Sequence, residues 1–152
     1  MPSDEARRRI EDLIHDYAHC IDDDRLEEWP DFFTEDCFYQ VISREDHARN
    51  MPVGVMTCTS RGMLIDRITS LRIANIYEPH CYRHLISAIR IRGEEDGLWS
   101  VQTGYAVIRT MQEGEMSIYS SGKYLDKIVF DDDRARFAER VVVCDSRRVH
   151  TL

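Results

Sequence analysis

The sequence predicts an α+β domain in which three N-terminal helices pack on the concave side of a curved, mixed or antiparallel sheet. Three observations predict it. Apolar residues at helical spacing are confined to the first half of the chain. Four long β-type runs fill the second half. Compact turn signals separate those runs, and strands joined by short turns pair antiparallel. A length of 152 residues suits one domain, spanning 1–152, with one core.

Each element has its own local reason. Ser3 can cap a helix over Asp4–Ile21, with Asp4 and Glu5 at the positive end of its dipole. Ile10, Leu13, Ile14, Tyr17 and Ile21 form its apolar stripe, and Asp22-Asp23-Asp24 ends it. A short second helix should turn Leu26, Trp29, Phe32 and Phe33 inward, with Pro30 in its first turns or at a break. Cys37–Ser43 reads as a first strand. The mixed segment Arg44–Thr59, with Pro52 and Gly54, reads as a long, partly ordered excursion. Ser60 can cap a third helix over Arg61–Ile73, whose stripe is Met63, Leu64, Ile68 and Leu71. Tyr82–Arg92, Trp99–Gln112, Glu115–Phe130 and Arg136–Cys144 are the long strands. Gly93–Gly97, Glu113-Gly114 and Asp131–Asp133 are the turns between them.

Composition narrows the function. The net charge of −8 argues against a general nucleic-acid binder, because phosphate neutralisation needs a basic face. No apolar run approaches the roughly 20 residues of a membrane span. The N-terminal stretch lacks the apolar core of a secretory signal, so a cytoplasmic protein is expected. The five cysteines are scattered, with no CxxC or zinc spacing, and read as free and mostly buried thiols.

Several constellations carry possible chemistry. His15 and His19 sit at i,i+4, as in a zinc-protease helix, but on the side opposite the apolar stripe and with no third ligand. Asp22–Asp24 lacks the Gly and distal Glu of a calcium loop and reads as a solvated helix end. Strand alternation puts His80, Tyr82 and His84 on one face and Cys81, Arg83 and Leu85 on the other. Tyr17, His84 and an aspartate could build an acid–base pocket inside the sheet's curve. Ile89, Ile91, Val101, Tyr105, Val107, Leu125 and Val142 supply the bulk to fill it instead. Arg61 and Arg67 flank the stripe of the third helix. They suit either internal ion pairs, with Glu78, Asp126, Glu139 or Asp145, or a subunit interface.

The segments YAHCIDDDRLEEWPDFFTEDCFYQV at Tyr17–Val41, SRGMLIDRITSLRIANIYEPHCYRHLIS at Ser60–Ser87, and SGKYLDKIVF followed by RFAERVVVCDS within Ser121–Ser146 carry a family resemblance. Together they resemble the small (beta) subunits of Rieske-type aromatic-ring-hydroxylating dioxygenases. The combination SRGML-DR, N-YEP and YRHLIS is the specific part. The short length and the ending VCDS look most like the branch acting on aromatic carboxylates, terephthalate dioxygenase in particular. The helix and strand order is similar to the NTF2-like (SnoaL-like) cone, also seen in scytalone dehydratase and ketosteroid isomerase.

The resemblance implies a subunit with no redox centre of its own. In such complexes the large alpha subunit carries the Rieske [2Fe–2S] cluster and the mononuclear Fe(II), and beta subunits form a trimeric base in an α3β3 assembly. Electrons from NADH pass through a reductase to the alpha subunit, and both oxygen atoms enter the ring to give a cis-dihydrodiol. No CxH…CxxH pattern occurs in this sequence. On this reading Arg61, Arg67, Tyr77, His80, Tyr82, Arg83 and His84 are interface or interface-shaping residues, and none is catalytic. The alternative is a stand-alone dehydratase or isomerase, which requires a pocket of a few hundred Å³ with a His, Asp or Tyr pair converging inside.

Overall fold

The structure, a computed structural model, describes residues 2–74, 79–132 and 134–146. Helix α1 spans Asp4–Asp22, and the Ser3 hydroxyl accepts a hydrogen bond from the Ala6 N–H at 3.1 Å. Ile10, Leu13, Ile14, Tyr17 and Ile21 are all buried on one face, while His15 and His19 are exposed on the other. The second helix expected from sequence is a 3-10 helix, Leu26–Phe32, with Pro30 inside it. Proline offers no N–H to an α-helical ladder, and the tighter turn tolerates it.

Strand β1 follows at Phe33–Ser43 and is longer than expected. The excursion after it is ordered. It holds a short helix α2, Arg44–Ala48, capped by Ser43, and a short strand β2, Met56–Cys58. The Gln40 amide fastens this segment to β1 by bonding the Pro52 carbonyl and the Thr57 hydroxyl, each at 3.3 Å. Helix α3 spans Arg61–Ile73 with Ser60 as its cap. Leu64 and Ile68 are buried and Leu71 is half-buried, but Met63 lies largely in solvent. So the helices do not all precede the sheet: α3 follows two strands, and the second helix is not α-helical.

Strands β3 (His80–Glu95), β4 (Leu98–Met111), β5 (Met116–Asp131) and β6 (Arg134–Cys144) form an antiparallel meander. The full order is β2-β1-β6-β5-β4-β3, and β1 pairs with β6 in parallel. The sheet is therefore mixed. Asp96-Gly97, both at positive φ, makes the tight β3–β4 turn. Register breaks at Ser87/Arg90, Val107/Ile108 and Lys127/Ile128 bend the strands and coil the sheet around α1. Gly122 sits where β5 and β6 approach closely; a Cβ there would collide with the Val143 carbonyl oxygen.

The main core fills the concave side. Phe33 and Phe137 are fully buried; Phe33 meets Tyr17, Trp29 and Tyr39 edge-on at centroid distances of 5.6 to 6.1 Å, and Phe137 meets Tyr17 edge-on at 5.4 Å. A second, small cluster of Ile42, Val141 and Val143 lies on the other face, with Phe38 and Leu125 against it. Leu125 thus belongs to the outer face and not to the cone interior.

Candidate functional site

The centre of the cone holds a charge. Arg140 on β6 and Asp126 on β5 are register partners, and their side chains have no solvent exposure. Nε and Nη2 of the guanidinium donate to the two carboxylate oxygens at 2.8 and 2.9 Å. The cation also lies over the rings of Tyr124, Phe137 and Tyr17 at 3.9, 4.1 and 4.3 Å. Those ring faces are electronegative and stand in for lost water. Burial pushes the Asp126 carboxyl above the usual carboxylate range, against the pull of Arg140. Burial likewise raises the phenols of Tyr17, Tyr39 and Tyr124, so these rings stay protonated at neutral pH.

A second buried pair closes the cone's edge. Asp22 at the end of α1 accepts from the His84 backbone N–H at 2.8 Å and meets His84 Nδ1 at 2.6 Å. Both side chains are buried, at 6% and 4% exposure. The acidic run is therefore split: Asp23 and Asp24 are solvated as expected, but Asp22 points inward. With both oxygens on β3, Asp22 clamps the end of α1 to the outermost strand of the meander.

His84 borders a small cavity together with Tyr17, Tyr39, Tyr105, Tyr119 and Tyr124. A His–Asp pair facing phenols is the inventory of a general acid–base site. The cavity decides against that chemistry. Its volume is about 40 Å³, enough for waters, whereas an engineered cavity that admits benzene measures about 150 Å³. Tyr105 and Tyr124 stack at 4.5 Å and occupy the space a substrate ring would need. Among the described residues no group of three His, Cys, Asp or Glu side chains converges as a metal site.

The residues expected at an interface fall in different places. Arg61 turns inward and donates from Nε and Nη2 to the Phe33 carbonyl, tying α3 to β1. Arg67 is half-buried, with its charge near the Cys58 thiol. His84 is the buried partner of Asp22. Tyr82 is half-buried against Tyr119, with centroids 5.0 Å apart, and its hydroxyl lies 3.0 Å from Nε2 of exposed His80. Arg83 is exposed on the outer face of the sheet. Tyr77 and Glu78 lie outside the described residues. Two of the acids expected to meet the helix arginines are engaged elsewhere: Asp126 with Arg140, and Asp145 with Arg44.

Apart from Arg83, the outer face of β3–β5 was not singled out by sequence. Arg83, Ile108 and Ile118 lie side by side across three strands, as do Leu85, Ala106 and Ser121. Leu85, Met116 and Ile118 are 50%, 66% and 77% exposed. The readable signal was strand alternation combined with bulky apolar residues at outward positions.

The comparisons with known proteins agree with this geometry. The SnoaL-like domain model matches residues 3–141. The chain is 43% identical to the anthranilate 1,2-dioxygenase small subunit of Burkholderia cepacia, over 92% of this chain and 87% of that protein. It is also 43% identical to subunit beta 1 of the terminal oxygenase component of terephthalate 1,2-dioxygenase from Comamonas sp, over 90% and 88%. Among solved structures, a Novosphingobium aromaticivorans chain assigned as the beta subunit of an aromatic-ring-hydroxylating dioxygenase superposes with a TM-score of 0.87 at 41% identity, covering 97% of this chain and 94% of that one. A chain from the same organism assigned as a scytalone dehydratase shares the fold at 20% identity, over 96% and 89%, with a TM-score of 0.73. With its SnoaL-like cone, its core closed around Arg140 and its extensive identity to these small subunits, the chain belongs to the family of small (beta) subunits of aromatic-ring-hydroxylating dioxygenases.

Proposed function

We propose that this chain is the structural subunit of a cytoplasmic, multicomponent oxygenase that cis-dihydroxylates an aromatic carboxylate. The single observation that carries the reading is the 43% identity, across nine-tenths of the chain, to the small subunits of anthranilate and terephthalate dioxygenases. Both of those substrates are benzene rings bearing carboxylates. The Rieske [2Fe–2S] cluster and the mononuclear Fe(II) belong to the large alpha subunit, and this chain supports that subunit within an α3β3 assembly.

The chain's own residues then serve recognition and rigidity. Arg83 and His80 offer a cation and a hydrogen-bonding ring at the surface. Tyr82 and His84 hold the same strand from beneath, and Arg61 and Arg67 set the position of α3 on the body. Tyr77 completes the proposed set. The Asp22–His84 pair favours the second reading, a dehydratase or isomerase, but a cavity of about 40 Å³ does not hold a ring-sized substrate.

Co-expression with a large subunit of this family tests the proposal. The expected result is a purified hexamer whose iron and acid-labile sulfide lie wholly in the large chain, with oxygenase activity lost when this chain is omitted. A folded chain that never associates with a large subunit, and that turns over a substrate unaided, overturns it.

A further inference from the structure

Tyr105 on β4 has Gly122 as its register partner on β5, so no side chain at that position shares its space. Its ring lies parallel to Tyr124, with centroids 4.5 Å apart and 7° between the planes. Its hydroxyl lies 3.0 Å from Ser120 Oγ and donates to Cys144 Sγ at 3.3 Å. Burial first, and then the hydrogen bond to Cys144, push this phenol up, so it stays protonated at neutral pH. The void of about 40 Å³ adjoins this ring. Four further phenols, Ser120 and His84 border it, with Val107 and Val142 among its apolar walls. Asp22 holds Nδ1 of His84, which leaves Nε2 for anything else in that space.

Ordinary core packing accounts for only part of this. Interiors interdigitate and leave few voids wider than a water, and such voids as remain empty are apolar. The space beside Tyr105 is bordered by hydrogen-bonding groups instead. What surrounds the Tyr105 side chain is what a bound phenol requires. Tyr124 is a ring to stack on, and Ser120 and Cys144 meet the hydroxyl.

Size and access agree. The void alone admits no ring. Adding the space of the Tyr105 ring brings it to the scale of the cavity of about 150 Å³ that admits benzene. A surface cleft of about 380 Å³, bordered by Ser121, Cys144 and Asp145, shares Tyr119 and Ser120 with the void. The Tyr105 hydroxyl bonds Ser120 and Cys144, so it marks the point where cleft and void meet. No lysine or arginine borders the void, so nothing there would offset a carboxylate's charge.

We propose that the cone contains a binding site for one neutral phenol and that Tyr105 is its built-in occupant, with Tyr124 as the stacking platform and Ser120 and Cys144 as partners of the hydroxyl. Tyr105 is then the side chain that makes this cone a scaffold and not a pocket. This goes beyond the structural-subunit reading and does not depend on it.

The test uses the full-length chain and p-cresol, the free counterpart of a tyrosine side chain. Tyr105→Ala vacates the ring's space. At 100 times its dissociation constant, p-cresol should lower the unfolding constant of Tyr105→Ala about 100-fold in urea titrations. It should stabilise neither the wild type nor Tyr105→Phe, whose rings fill the site. Amide signals of Ser120, Tyr124 and Cys144 should shift in the Tyr105→Ala chain as p-cresol is added. Toluene, which lacks the hydroxyl, should bind at least about tenfold more weakly, and p-toluate should not bind. If Tyr105→Ala does not fold alone, p-cresol should restore its folding. Tyr105→Val, which suits a strand and still vacates most of the ring, then repeats the titration. Toluene binding as tightly as p-cresol would reveal a plain apolar hole and overturns the proposal. So does p-cresol stabilising Tyr105→Phe as much as Tyr105→Ala. Folded Tyr105→Ala and Tyr105→Val chains that p-cresol does not stabilise overturn it as well. The structural-subunit reading stands under each of these results.

Discussion

The two faces of one sheet treat charge and apolar surface in opposite ways. On the concave face, Arg140 and Asp126 are sealed from water and wrapped by Tyr17, Tyr124 and Phe137. On the convex face, Leu85, Met116 and Ile118 stand in water beside cations that have no acidic partner among the described residues. The interior charge is spent within the molecule, since both carboxylate oxygens of Asp126 are already bound. This is why the cone, which looks like an enzyme's pocket, reads as scaffold.

The largest expected effect comes from breaking the interior pair. Arg140→Met should cost about 3–5 kcal/mol, because it leaves Asp126 buried beside no cation. Urea unfolding measures it. Arg140→Met combined with Asp126→Leu should recover most of that loss, since the penalty lies in the orphaned charge. The exterior offers the contrast: Ile118→Ser in the isolated protomer should change stability by no more than about 0.5 kcal/mol. A cheap Arg140→Met, or a costly Ile118→Ser in a monomer, would break the comparison.

The Asp22–His84 clamp sits between these extremes. It bonds through both oxygens at 2.6 and 2.8 Å, but it joins only the end of α1 to an outermost strand. Asp22→Ala should cost about 1.5–3 kcal/mol, the range for hydrogen bonds to a charged group. Hydrogen exchange should quicken in the last turn of α1 and in His80–Ile86, and remain slow in β5 and β6. Uniform loosening of the whole sheet would show that the clamp and the Arg140 centre are one cooperative unit.

Much of this arrangement was legible in the sequence, and what was not has physical causes. The limits of α1 and α3 followed from Ser3, Ser60 and the stripes that each begins. The hairpins followed from Asp96-Gly97 and Glu113-Gly114. The pairing of Asp126 with Arg140 did not, because the register break at Lys127/Ile128 shifts the strict alternation from which facing residues are counted. Asp22 was hidden in a run of three like residues, only one of which lies on the helix's inner side. The parallel contact of β1 with β6 joins distant parts of the chain, and no local periodicity encodes it. Arg61 flanks the apolar stripe of α3, but its acceptor is a backbone carbonyl, which no side-chain pattern announces.

The smallest expected effect separates the faces by their thiols. Cys20, Cys37, Cys58 and Cys144 are buried, and Cys81 is exposed on the outer face. Burial pushes the Cys20 and Cys37 thiols from 9.0 up to about 11. Their contribution to stability is therefore fully present below about pH 9. It is lost as pH rises through about 11, because the unfolded chain releases these protons first. A denaturation midpoint that falls across that window, and is flat across neutral pH as far as these groups act, is the expected outcome. At neutral pH a maleimide should label Cys81 alone in the folded protomer, because the thiolate is the nucleophile and the other thiols are shielded. Labelling of Cys81 should then slow on assembly if the outer face is the contact between copies. Equal rates in monomer and oligomer would place that contact away from the start of β3.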